Sequence, residues 1–168
     1  METVIQLNSN AKLSEHFTLG ELTKTSHKVY NIPSHEAIEN LKRVCTWLEY
    51  LRKRYNELNQ TTPNPSLLFK EGKALLPIII NSGYRSPQLN KKIGGQPNSN
   101  HLTGCAVDIR VKGKEQLIQY AAILIQYAND THQDFDELLL EKNWHGAIWL
   151  HFAVKPKDNR RHVLFLTA

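Results

Sequence analysis

At 168 residues the chain has one domain's length, and 40% hydrophobic with 22% charged residues is the balance of a soluble globular protein. The formal charge of +5 is scattered, with no long Lys/Arg block before Arg160-Arg161 and no aromatic-basic interleaving, so nucleic acid is not an expected partner. No segment approaches the roughly 20 apolar residues of a membrane span, which excludes stable membrane insertion. Met1–Leu7 lacks the basic start and apolar run of a signal peptide, so synthesis in the cytoplasm is expected, with another route of release if the protein acts outside it.

Leu13 to Thr25 reads as an entry segment with a helical turn at Thr18-Leu19-Gly20-Glu21-Leu22. Ser34 then reads as the N-cap of a helix whose core face carries Ile38, Leu41, Cys45, Leu48, Leu51 and Tyr55. The polar stretch 56–73, with Pro63 and Pro65, reads as a loop inserted into a single domain spanning 1–168. Leu76-Pro77-Ile78-Ile79-Ile80-Asn81 reads as the clearest strand, and Pro87 to Asn100 as loop. Cys105 to Val111 alternates as a strand, and Lys114 to Asn129 is helical with Leu117, Ala121, Leu124, Ile125 and Ala128 on its buried stripe. Phe135–Glu141 and Ala147–Val154 read as strands joined by a turn containing Gly146, and a last strand runs through His162-Val163-Leu164-Phe165. Helices and strands without strict alternation predict an α+β fold: a small, mostly antiparallel sheet with flanking helices. Two cysteines make no disulfide framework, and Cys45 and Cys105, both in apolar patterns, read as buried free thiols.

The chemistry concentrates in Ser99-Asn100-His101-Leu102-Thr103-Gly104-Cys105-Ala106-Val107-Asp108 and Trp149-Leu150-His151. His101, Asp108 and His151 offer two imidazoles and one carboxylate, a set that suits a catalytic zinc with one open position. Strand alternation agrees. With Val107 and Ile109 in the core, Asp108 faces the other way; with Ile148, Leu150, Phe152 and Val154 in the core, Trp149 and His151 share that outer face. His101 reaches the same cleft from the preceding loop. Taken alone, His101 reads more readily as a surface loop histidine and His151 as a satisfied sheet-edge histidine.

The order and spacing of Ser82-Gly83-Tyr84-Arg85-Ser86, Ser99-x-His101-x-x-Gly104-x-Ala106-x-Asp108 and Trp149-x-His151 resemble the zinc D-Ala-D-Ala carboxypeptidases and related phage L-alanyl-D-glutamate endopeptidases, which cut peptidoglycan stem peptides. Leu13–Leu22 and Asn159-Arg160-Arg161-x-Val163-Leu164 resemble the phage-type branch. The resemblance implies His101, Asp108 and His151 as zinc ligands. It implies Arg85 as the group that binds a substrate carboxylate or polarises the scissile carbonyl. Ser99 would cap the metal loop or bond substrate, and Trp149 would wall the cleft. One position departs: many members carry a carboxylate three residues before the last zinc histidine, and here Ile148 stands there. The resemblance and a short hairpin through Lys142–Gly146 favour Glu141 as general base, with His145 as the substitute.

The expectation is therefore a monomeric zinc metallopeptidase acting on peptidoglycan or muropeptides, as a carboxypeptidase or an endolysin-like endopeptidase. The alternative is a zinc-containing wall-binding domain of the same fold without catalysis, which the Ile148 departure supports.

Overall fold

The computed structural model describes residues 8–59 and 75–167. Thr18 opens α1 (Leu19–Thr23) with a reciprocal cap: its hydroxyl accepts from the Glu21 N–H at 3.3 Å while the Glu21 carboxylate accepts from the Thr18 N–H at 2.8 Å. Ser34 caps α2 (His35–Asn59), its Oγ accepting from the Ala37 N–H at 3.1 Å. The expected face of α2 is inward, and Val44 and Trp47 widen it.

α2 continues through Asn59, so residues 56–59 of the expected loop are helical. Asn56 tolerates this because its side chain bonds both backbone groups of Leu76, donating to the carbonyl at 3.0 Å and accepting from the N–H at 2.7 Å. The remainder of that expected loop, 60–73, lies outside the described residues.

The strand expected over 76–81 is shorter. β1 is Ile80–Ser82, preceded by extended chain whose only ladder-like bond is the Arg110 N–H to the Ile79 carbonyl at 2.9 Å. Pro77 has no N–H to pair, and the register shifts between Ile80 and Ser82, so pairing begins late. Nor is 87–100 all loop. Ser86 caps a helix α3 (Pro87–Lys92), with proline in its first turn, where a missing N–H costs nothing. The Ser-Pro pair was the signal for it.

β2 (Ala106–Arg110), α4 (Lys114–Thr131), β3 (Glu137–Lys142), β4 (Ile148–Ala153) and β5 (His162–Thr167) follow the expected order. The sheet runs β1-β2-β4-β3-β5, antiparallel throughout except for β5, which lies parallel to β3. The fold is α+β, with a five-stranded mixed sheet whose apolar face shares one core with α1, α2 and α4.

Trp47 of α2 sits at the junction of the layers, its ring 4.6 Å from that of Tyr127 on α4 and 5.3 Å from that of Phe152 on β4. Val107, Ile109, Leu138, Leu140, Leu150 and Phe152 fill the core below the helices. Their neighbours in sequence, Asp108, Leu139 and His151, occupy one cross-strand row on the opposite face: Asp108 pairs with His151, and His151 with Leu139. Strand alternation thus delivers the polar groups to a single surface. Both cysteines are buried and free.

Candidate active site

A 3-10 turn, Asn100–Thr103, presents His101. Ser99 caps it, its Oγ accepting from the His101 N–H at 3.3 Å, so this serine serves the turn. Gly104 ends the turn at φ 73°, and a Cβ there would stand 2.4 Å from the Ala37 carbonyl oxygen. Glycine alone meets both demands. At Gly83 a Cβ would come within 2.3 Å of the Leu22 carbonyl oxygen, so the chain passes where only glycine fits.

That close pass matters because the Gly83 carbonyl accepts from His101 Nδ1–H at 2.6 Å. In the neutral ring that bond selects the tautomer whose lone pair is on Nε2. Nε2 faces Asp108 Oδ1 at 3.3 Å, and His151 Nδ1 faces the same oxygen at 2.9 Å. The ligand atoms of these three buried residues lie within 4.8 Å of one another. Burial pushes the His101 imidazole down, against the opposing pull of Asp108. His151 is also buried, but the hydrogen bonds it donates to Asp108 and Glu137 overcome that and push it up to about 9. Burial would raise Asp108; the two imidazoles win and hold its carboxyl well below the carboxylate range.

Arg85 closes the other side of the carboxylate. Its guanidinium donates to Asp108 Oδ2 at 2.5 Å and, through Nε, to Ser82 Oγ at 2.9 Å. The Arg85 N–H also donates to the His101 carbonyl at 3.0 Å, which ties the Ser82–Ser86 motif to the 3-10 turn.

Glu141 and Trp149 are cross-strand partners two pairs along from Leu139 and His151, the next pair on the same face. Burial, with a smaller push from Asp108, raises the Glu141 pKa against the opposing pull of His151. Ile148 packs against the core, and His145 is exposed at the hairpin tip, with its backbone N–H donating to Asn143 Oδ1 at 3.0 Å. All the expected site residues border one open cleft of about 820 Å³: Arg85, Ser99, His101, Asp108, Glu141, Trp149 and His151.

The sequence reading missed Glu137, whose Oε2 lies 3.2 Å from His151 Nε2. It alternates with Leu139 and Glu141 along β3, and that period of two was the available signal. It also missed the supports behind Glu137: Asn100, Arg160 and the fully buried Asp136.

Residues 70–134 match the family model of Peptidase M15, the family of the zinc D-Ala-D-Ala carboxypeptidases. The matched stretch contains the Ser82–Ser86 and Ser99–Asp108 motifs and stops short of His151. It does not single out the phage-type branch. No curated protein matches the chain.

Proposed function

We propose, taking the likeness to Peptidase M15 as premise, that this chain is a zinc-dependent peptidase that hydrolyses peptide bonds of peptidoglycan stem peptides. One observation carries the metal: His101 Nε2 and His151 Nδ1 converge on one Asp108 oxygen, at 3.3 and 2.9 Å, so the donor atoms of three buried side chains lie within 4.8 Å of one another. His151 supplies the third donor once its Nδ1 proton leaves, and such a two-imidazole, one-carboxylate set fits zinc with a position left open. When bound, zinc supplies a Lewis acid for the scissile carbonyl and acidifies its water.

The chain's own residues do the rest. Glu141 receives the proton of the attacking water and passes it to the leaving amine. Two glutamates line the cleft, Glu137 and Glu141, and their surroundings separate them. Hydrogen bonds from His151, Asn100 and Arg160 hold Glu137 down at about 2, whereas burial lifts Glu141 toward the range of a working base. Arg85 has five N–H donors and commits two side-chain bonds to Asp108 and Ser82, so its plane is fixed while donors remain for a substrate carboxylate or oxyanion. Trp149 forms a wall of the cleft. No helix among the described residues is long and apolar enough to cross a membrane.

The test is metal content and digestion together. The purified protein should carry about one zinc per chain, and His101→Ala or Asp108→Ala should lose most of it while remaining folded, since the core lies on the other sheet face. Mass spectrometry of digested peptidoglycan should show new stem-peptide termini whose masses identify the bond. Full zinc retention in both variants overturns the ligand assignment. Zinc binding without any cleavage makes the domain a wall-binding module instead.

A further inference from the structure

Glu137 takes no part in the proton transfers above, yet it is held from three directions. Oε2 lies 3.2 Å from His151 Nε2 and accepts from Asn100 Nδ2 at 3.0 Å, while Oε1 accepts from Arg160 at 2.6 Å. Those two donors are themselves anchored. The Asn100 amide also donates to Asp136 Oδ2 at 2.9 Å, and Arg160 reaches Asp136 through Nε at 2.9 Å and Nη2 at 2.7 Å. Asp136 has no exposed surface and holds Lys155 Nζ at 2.9 Å as well. The carboxylate beside His151 therefore sits in a frame with little freedom to shift.

We propose that Glu137 is the positioning residue of the metal centre: it fixes His151 with its proton on Nε2 and its Nδ1 turned to Asp108, and Asn100 joins it to the turn that carries His101. The inference rests on the zinc reading above. A neutral imidazole exists in two tautomers, and the one protonated on Nδ1 would offer a metal a hydrogen instead of a lone pair. An acceptor fixed at Nε2 removes that tautomer and raises the basicity of the other nitrogen. The Gly83 carbonyl performs the same service for His101 at 2.6 Å, so each imidazole has its outer nitrogen engaged. Asn100 is the neighbour of His101 in the chain and a donor to Glu137, so the two ligands are placed relative to each other through one side chain.

Zinc affinity of the full chain, read by competition with a chromogenic chelator, tests this in Glu137→Ala and Glu137→Gln. Glu137→Ala should bind zinc roughly 10- to 100-fold more weakly. Glu137→Gln should recover part of the loss, because its amide oxygen can still accept from Nε2–H. In the zinc-loaded wild type, nitrogen-proton NMR should show His151 protonated on Nε2 with slow exchange, and Glu137→Ala should lose that slow exchange. Wild-type affinity in a folded Glu137→Ala, or an unchanged His151 ring signal, overturns the inference and leaves the zinc site standing. Should Glu137→Ala fail to fold, Glu137→Gln carries the test, and a signal without Nε2 protonation overturns the inference. A wild-type chain that binds no zinc overturns the metal reading and this inference together.

Discussion

Two side chains of the cleft make separable demands on chemistry. Arg85 bridges Ser82 and Asp108 while bordering the cleft, a geometry only a planar fork can hold. Arg85→Lys keeps the charge and one bond to Asp108, so zinc at saturation should stay near one per chain. Loss of the fork should lower kcat/KM by roughly 100-fold, the scale of removing one oxyanion donor. Parallel measurement of metal content and rate checks this, and a fall in zinc matching the fall in rate would make Arg85 a support of the centre alone. Glu141 carries the second demand. Glu141→Gln keeps shape but accepts no proton near neutrality, and it should lower turnover by roughly 100- to 10,000-fold with zinc and substrate binding retained. Because burial raises the Glu141 pKa and only the ionised form would act as base, activity should fall as pH drops through a value above that of an ordinary glutamate. The acid limb of kcat/KM against pH reports it; near-normal rates in Glu141→Gln would return His145 to consideration.

At the scale of elements, the motifs read from the sequence acquire mechanical reasons. The glycine of the Ser82–Ser86 motif is required where the chain passes Leu22, and its carbonyl then orients His101. The glycine after His101 ends a turn in the left-handed region against the Ala37 carbonyl of α2. Gly104→Ala meets both obstacles, left-handed strain of about 1 kcal/mol and overpacking of about 1–3 kcal/mol. The expected loss of about 2–4 kcal/mol should lower Tm by at least about 5 °C for a chain of this size. Thermal unfolding of the metal-free protein measures it apart from zinc binding, and an unchanged Tm would mean that the turn does not press on α2. Period-two alternation made Asp108 and His151 legible as companions, because Val107, Ile109, Leu150 and Phe152 pinned the opposite face. The late start of β1 and the helix α3 were harder to read. An apolar run outvoted Pro77, and the Ser86-Pro87 cap was lost among loop-forming neighbours.

Across the whole molecule, long-range polar contacts were what local pattern could not supply. Asp136 and Arg160 stand 24 positions apart, and Asn100 and Asp136 stand 36 apart; nothing in either neighbourhood announces the meeting. Their junction also bears on stability. Asp136 is fully buried, and although burial alone would raise its pKa, hydrogen bonds from Arg160, Lys155 and Asn100 hold the carboxyl well below its usual range. A carboxyl depressed in the folded state adds stability above its unfolded value near 3.9, and that stability drains away as pH falls into the acid range. Wild-type Tm should therefore drop steeply below about pH 4. Asp136→Asn removes the charge and leaves Arg160 and Lys155 facing a neutral amide. Both cations are partly exposed and can regain water, so the loss should sit near the lower end of the roughly 3–5 kcal/mol for breaking a buried pair. That loss corresponds to a Tm roughly 6–12 °C lower at neutral pH. Since the variant has no such proton to bind, its Tm should also vary less between about pH 4 and 2 than that of the wild type. Parallel melting curves for both proteins would show Asp136 to be dispensable if the two acid limbs coincide.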